Sequence, residues 1–354
     1  MESYQPSLGA SSRFPEQLPV ISLVTGANGF VGSHVARRLA ARGEHVRALV
    51  RPSSNLRALD GLPIDRALGD LLDPPSLRAA LAGVACVYHV AADYRLWCEH
   101  PEEIYRANVE GTRNLLEAAR DAHIPRLVYT STVGTIAVHR HDPLPNEATE
   151  ARLDEMTGHY KRSKFMAEQE VRKAAQEGLP VVIVNPTTPV GPGDWKPTPT
   201  GRMIVDFLNG RTPAYVDTGL NIVAVEDVAE GHLLAAERGR VGERYLLGGR
   251  NMTLKEIFMV LAEVSGRPVP RWKIPHRLVL LAAYVENEIA VLFGDEPQIP
   301  LEGVRMARHK MWVNCSKATR ELGFHPGPAD DALRRSVEWY RENGYASRKR
   351  RTGD

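Results

Sequence analysis

The sequence predicts a doubly wound α/β fold, a parallel sheet with helices on both faces, joined to a smaller C-terminal α/β lobe. Short β-branched apolar runs alternate with segments of helical periodicity through the first half of the 354 residues. The runs are apolar at successive positions rather than at every second one, as in strands covered on both faces. A glycine triplet, Gly26, Gly29 and Gly32, stands between the first run and the first helical segment. Folds of this class turn tightly at that place to receive a phosphate.

Strands are expected at residues 20–24, 45–50, 64–68, 84–90, 126–130 and 181–184, and helices at 31–41, 75–82, 102–122 and 159–176. The strands are runs such as VACVYHV at 84–90 and RLVYT at 126–130, rich in the residues that fit a pleated surface. The alternation breaks after Pro186 in a segment crowded with proline and glycine, and short strands then mix with helices at 228–238, 254–265, 305–307 and 329–343. The expected organisation is a disordered leader (1–19), a dinucleotide-binding domain (20–186), a mixed substrate lobe interleaved with late sheet elements (187–343) and a basic tail (344–354).

Hydrophobic residues make up 43% of the chain and charged residues 25%, enough to bury a large core. Lys and Arg number 45 against 43 Asp and Glu, a net +2 that is too balanced for a dedicated nucleic-acid binder. Cys86, Cys98 and Cys315 show no paired spacing, which excludes a disulfide framework and predicts a reducing, cytoplasmic compartment. No Cys/His cluster has the spacing of metal ligands. The leader carries no apolar signal-peptide core. The longest apolar stretch, 278–293, is interrupted by Glu286, Asn287 and Glu288 and falls short of the ~20 residues of a transmembrane span. It is expected as a buried or substrate-covering helix, with docking on a membrane surface as the alternative.

The chemistry-bearing residues follow the sheet. In Thr25-Gly-Ala-Asn-Gly-Phe-Val-Gly32 the glycines allow a tight turn and close packing of helix on strand, and the helix N-terminus offers N–H groups to phosphates. The second strand ends at Arg51, with Ser53 and Ser54 beside it and no Asp or Glu. An acidic residue there would bind a ribose 2′-OH, whereas Arg accommodates a 2′-phosphate, so NADP(H) is expected over NAD(H). Asp70, in Gly69-Asp-Leu71, stands where it can accept from the adenine amino group or cap the next segment. Tyr160 and Lys164 lie one helical turn apart and share a face. A nearby ammonium, with a positively charged nicotinamide, lowers the phenol's usual pKa of about 10 and makes it a usable acid/base. Thr130, Ser131 and Thr132 stand at the end of the fifth strand, at the carboxyl edge where ligands of such sheets bind.

These residues resemble the extended short-chain dehydrogenase/reductases over residues 20–340 or so, nearly the whole chain. TGANGFVG at 25–32 is similar to the family's glycine turn, which brings Asn28, Phe30 and Val31 into the cofactor site. Gly69-Asp70-Leu71 resembles the adenine-site segment, His89-Val-Ala91-Ala92 the strand whose small residues line the cofactor, and Asn108-Val-Glu-Gly-Thr112 the helix with a structural Asn. Asn185-Pro186-Thr187 is similar to the segment beside the nicotinamide, and Val225-Glu-Asp-Val228 to a motif at the lobe boundary.

The resemblance implies Tyr160 as acid/base and Lys164 as the residue that binds the nicotinamide ribose and depresses the Tyr pKa. It implies Thr132 in the place of the usual catalytic Ser, with Ser131 as a helper. Asn108 would hold a water or a backbone position for proton relay. A homodimer through the helices at 102–122 and 159–176 is implied as well. Residues 49–55, 90–97 and 185–194 are closest in kind to hopanoid-associated sugar epimerases and dihydroflavonol 4-reductases. An alcohol/ketone oxidoreductase and a sugar epimerase therefore share the expected machinery, while a non-catalytic scaffold would not need the Tyr160/Lys164 pair. Tyr94, Trp97, Pro189 and Trp195 are candidates for a hydrophobic, lipid-linked or polyphenol-like small-molecule pocket and equally for core. Arg202, Arg211, Arg244 and Arg305 are candidates for a diphosphate or for the surface.

Overall fold

A computed structural model describes residues 20–136, 143–293, 297 and 301–346. The expected leader and the basic run at 347–351 lie outside the described residues. The first half runs β1 (Ile21–Thr25), α1 (Phe30–Ala41), β2 (His45–Val50), β3 (Asp65–Leu68), α2 (Pro74–Leu81), β4 (Val84–His89), α3 (Pro101–Tyr105), α4 (Gly111–Asp121), β5 (Arg126–Thr130), α5 (Gly158–Gln176) and β6 (Val181–Pro186). The second half continues with β7 (Thr188–Val190), α6 (Pro199–Leu208), β8 (Ala214–Tyr215), β9 (Gly219–Ala224), α7 (Val225–Arg238), β10 (Arg244–Leu247), β11 (Arg250–Thr253) and α8 (Leu254–Ser265). It ends with β12 (Trp272–Lys273), α9 (His276–Phe293), α10 (Leu301–Met306), α11 (Ser316–Leu322) and α12 (Ala329–Glu342).

Seven parallel strands form the main sheet in the order β10-β6-β5-β4-β1-β2-β3. The winding reverses between β1 and β4, which opens a crevice at their carboxyl ends. Successive side chains along a strand point to opposite faces, and the core divides accordingly. Val24, Val128, Val182 and Val184 pack with α1, α7 and α11, while Leu23, Leu127, Tyr129, Val181 and Ile183 pack with α2, α4 and α5. A parallel strand buried on both sides reads as an unbroken apolar run for this reason. The seventh strand, β10, lies beyond the boundary expected at 186, in keeping with late sheet elements inside the second half.

The lobe is a three-stranded sheet, β11-β9-β7, and a β12–β8 pair, packed on α6, α8 and α12 around Phe207 and Phe258, whose rings stack at 5.3 Å. Two expectations are corrected. The single helix at 102–122 is α3 and α4 joined by a π-helical turn, Arg106–Glu110, and such turns gather at functional sites. The apolar stretch is helical, but α9 is not buried: Leu278, Leu281, Val285 and Ile289 are more than half exposed. No helix among the described residues is long and apolar enough to cross a membrane.

Candidate active site

The glycine turn has a separate physical reason at each position. Gly26 has φ +67°, and a Cβ there would lie 2.7 Å from the Ala91 backbone. A Cβ on Gly32 would meet the Gly26 carbonyl oxygen at 2.1 Å. These two let β1, α1 and the segment after β4 close on one another. Gly29 caps α1 without a side-chain acceptor, and no acidic residue occupies the first turn. The first-turn N–H groups of a helix have no partner within it, so α1 presents a bare positive end, and a dinucleotide pyrophosphate fits there. Phe30 and Val31 open the helix half-buried, and Phe30 packs edge-on to His34 at 5.9 Å. Asn28 Nδ2 donates to the Asn55 carbonyl at 3.4 Å, which ties the turn to the loop after β2.

In that loop Arg51 is exposed, its backbone N–H held by Ser54 Oγ at 3.1 Å. Its guanidinium makes no hydrogen bond or ion pair to any described residue, so it is available for an anion. Asp70 Oδ1 accepts from Leu72 N–H at 2.9 Å, the turn-closing role that the sequence left beside adenine binding. Leu71 packs where a Cβ on Gly111 would come within 2.9 Å. Ala91 N–H donates to Thr25 Oγ1 at 3.2 Å, and Ala91 and Ala92 are half-buried along the crevice.

At the other end of the crevice, β5 delivers Thr132 toward α5. Thr132 Oγ1 accepts from Gly134 N–H at 3.1 Å and caps a 3-10 turn, Val133–Thr135. Its hydroxyl also lies beside the Tyr160 phenol. Burial pushes the Tyr160 pKa up to about 12, with Thr132 pulling it down and Tyr94 adding to the rise. Lys164 Nζ donates to Tyr129 Oη at 2.8 Å and to the Thr130 carbonyl at 2.7 Å, and burial lowers it to about 7 despite the Glu168 carboxylate. Without a nicotinamide beside it, the phenol is governed by burial, Thr132 and Tyr94. The ammonium is committed to Tyr129 and Thr130, and desolvation outweighs every other influence on the phenol. Asn108 accepts from Asp93 N–H at 2.7 Å and donates to the Asp93 carbonyl at 2.8 Å and to Ser163 Oγ at 2.9 Å. The π turn thus clamps the Asp93–Tyr94 backbone to α5 beside Tyr160.

Three expectations change at this edge. Ser131 does not face the crevice as a helper of Thr132, because its hydroxyl donates to the buried Glu168 carboxylate. The Thr130 hydroxyl pairs with His232 Nε2 at 2.8 Å, which leaves its carbonyl to Lys164. Arg244 is no candidate for a substrate diphosphate: it is buried and ion-paired with Glu168 at 3.2 Å. Pro186 and Thr187 lie at the end of β6, with Thr187 N–H donating to the Leu247 carbonyl of β10 at 3.1 Å.

Of the candidate substrate residues, the structure brings Tyr94 to the Tyr160 phenol. Its own pKa is raised by burial and by Asp194 and Asp93, against Arg202. Trp97 is half-buried in the loop whose Leu96 packs over Gly303 of α10. Pro189 is half-buried in β7, opposite Val223. Trp195 belongs to an aromatic cluster, edge-on to Trp339 at 4.7 Å with Arg57 over its ring at 3.7 Å, so packing accounts for it. Arg211 pairs with Asp206 at 3.7 Å, and Arg305 donates to Tyr284 Oη.

Two participants escape a local reading of the sequence. Glu168 is the third member of the face that begins with Tyr160 and Lys164, four and eight residues on. It accepts from Ser131, from Thr135 at 2.8 Å and from Asn185 at 3.1 Å. Tyr129 begins a buried chain through Thr112, His89 Nε2 (3.1 Å from Thr112 Oγ1) and Thr25 Oγ1 (2.7 Å from His89 Nδ1). The helical repeat from Tyr160 points to Glu168, and strand alternation puts Tyr129 on the α5 side; neither signal names a partner.

Residues 22–248 match the sequence profile of the NAD dependent epimerase/dehydratase family. The chain belongs to that family. Its fold and motifs are those of the extended short-chain dehydrogenase/reductases, as the resemblance implied. The chain is 45% identical over 326 residues to a Synechocystis sp. protein with the provisional name dihydroflavonol 4-reductase, spanning 91% of this chain and 95% of that one. It is 38% identical over 325 residues to sterol demethylase protein B of Methylococcus capsulatus, spanning 91% and 99%. A solved nucleoside-diphosphate-sugar epimerase from Pseudomonas aeruginosa is 30% identical, with a TM-score of 0.77 over 93% of this chain and 99% of its own. As a member of the epimerase/dehydratase family, the chain is an enzyme of nicotinamide-dinucleotide chemistry acting on a small molecule.

Proposed function

We propose that this enzyme is an NADP(H)-dependent oxidoreductase that interconverts a secondary alcohol and a ketone, with Tyr160 as the proton donor and acceptor. The observation that carries the reading is the convergence of the Thr132 hydroxyl, the Tyr160 phenol and Tyr94 at the carboxyl edge of β5, in the crevice that begins at the bare N-terminus of α1. The glycine turn and α1 would hold the pyrophosphate, Arg51 the 2′-phosphate, and Lys164 with the Thr187 segment the nicotinamide half. When bound, the cofactor supplies or accepts a hydride at the substrate carbon.

Thr132 and Tyr160 hold the substrate oxygen between two hydroxyls. A phenol whose pKa sits near 12 is protonated at neutral pH and gives its proton to that oxygen as the carbonyl is reduced; in oxidation the proton returns. Asn108 fixes the backbone that carries Tyr94. The apolar character of Tyr94 and Trp97 suits a hydrophobic substrate, in line with a relative named for a sterol. The reading includes a cytoplasmic location, supported by three unpaired cysteines, and a homodimer through α4 and α5.

A sugar epimerase of the hopanoid-associated kind is the second reading, favoured by the match to a nucleoside-diphosphate-sugar epimerase. The exposed Arg51 and the engagement of Arg244 with Glu168 weigh against it. Incubation of the purified enzyme with NADPH and a panel of apolar ketones decides. Oxidation of NADPH in step with loss of ketone is expected. A dinucleotide that stays bound through purification and never exchanges, with no net consumption, would replace the oxidoreductase by the epimerase.

A further inference from the structure

Of twelve large apolar side chains exposed among the described residues, six fall between Trp272 and Ile289. Leu278, Leu281, Val285 and Ile289, with the exposed Ala282, follow the three- and four-residue spacing that makes one stripe along a helix. The opposite side of α9 buries Ala283 (0% exposed) and Ala290 (6%). The helix therefore turns Ala283 and Ala290 inward and Leu278, Leu281, Val285 and Ile289 outward, the reverse of a helix that serves only its own core. Trp272, 73% exposed, leads into it.

Charge indicates what covers this face. Residues 267–277 hold Arg267, Arg271, Lys273 and Arg277 and no acidic residue. Lys273 pairs with Asp217 at 2.8 Å, but Arg271 and Arg277 are exposed with no ion pair to a described residue. Arg305 and Arg308 of the adjoining segment are exposed too. The acids of α9 itself, Glu286 and Glu288, come later in the helix. Exposed Leu, Val and Ile beside Trp and a cationic segment suit the headgroup region of an anionic bilayer, where apolar side chains enter the acyl boundary and cations meet lipid phosphates. We propose that α9, with Trp272 and the cationic segment before it, docks this enzyme on the surface of an anionic phospholipid membrane.

The face is joined to the active site by short contacts. His276 Nε2 lies 2.7 Å from the Val304 carbonyl of α10, and Glu302 of α10 accepts from His159 N–H at 3.0 Å, one residue before Tyr160. Docking through α9 thus sets α10 and the Leu96–Trp97 loop, packed over Gly303, at the lipid surface. The proposal is independent of the reaction proposed above, because binding is read without turnover.

The full chain is sedimented with vesicles of phosphatidylcholine and with vesicles of phosphatidylcholine plus phosphatidylglycerol, and its size in solution is measured in parallel. Co-sedimentation with the anionic vesicles is expected, weakened by salt. Leu281→Glu with Val285→Glu, and separately Arg271→Glu with Arg277→Glu, should each weaken it by about tenfold or more. All four side chains are exposed, so an unchanged Tm shows that the variants fold. Failure of the wild type to sediment with anionic vesicles overturns the proposal. So does equal binding by the variants, or a dimer that Leu281→Glu with Val285→Glu converts to monomer while lipid binding is nil. NADPH-dependent reduction of a water-soluble ketone by the docking variants separates the fate of this proposal from that of the reaction.

Discussion

In the proposed reaction, Tyr160, Thr132 and Lys164 share the work at the substrate end of the crevice. Tyr160→Phe removes the proton that the proposed reaction transfers to the substrate oxygen, so turnover should fall by about 10² or more with NADPH binding retained; comparison of kcat with cofactor titration checks it, and a near wild-type rate removes Tyr160 from the chemistry. Arg51→Ala should weaken NADPH binding by the ~1.5–3 kcal/mol of a charge-assisted hydrogen bond and leave NADH unaffected. Equal losses for the two would place Arg51 away from the 2′-phosphate. Tyr129 acts through Lys164, whose ammonium it holds at 2.8 Å. Tyr129→Phe leaves the ring and removes that acceptor, so the acidic limb of the kcat pH profile should move while the Tm changes little; an unmoved profile makes Tyr129 a packing residue.

Elements of the first half were legible because local pattern and tertiary role agree there. The β2 and β5 runs at 45–50 and 126–130 form strands with the expected limits, and the others shift by one or two residues at their ends. The π turn was not legible, because Arg106–Glu110 has an ordinary helical composition and widens where Asn108 reaches Asp93 across the crevice. The exposure of α9 was not legible either: an apolar run shows that a helix needs cover and does not show which face the rest of the fold leaves bare. Arg244 links β10 to α5 through Glu168, both nearly fully buried. Arg244→Met leaves the buried Glu168 carboxylate only the longer ion pair to Arg172 at 3.9 Å and should cost about 3–5 kcal/mol, read from urea unfolding. A loss within a few tenths of a kcal/mol would show that Arg172 with Ser131, Thr135 and Asn185 suffices for Glu168.

Across the whole molecule, two buried imidazoles set an acid limit. Burial holds His89 at about 3 and His232 at about 4, both below the unfolded value near 6.5. From about pH 6.5 downward the unfolded chain gains protons that the folded chain refuses. Stability should therefore fall by about 1.4 kcal/mol per pH unit for each imidazole until its folded pKa is reached. Thermal unfolding followed from pH 7 to about pH 5 reads this, and a flat Tm would mean that the pair adapts at no cost.

By themselves, the residues determined the sheet, the glycine turn, the Tyr160/Lys164 face and the family, because each rests on spacing that a strand or helix converts directly into geometry. Tertiary structure alone decided that Ser131 and Arg244 serve Glu168, that Lys164 is held by Tyr129, and that α9 faces outward. Those outcomes depend on which groups compete for the same partner after burial. Residues 113 apart in sequence, such as Ser131 and Arg244, carry no mark of that competition until folding brings them to one carboxylate.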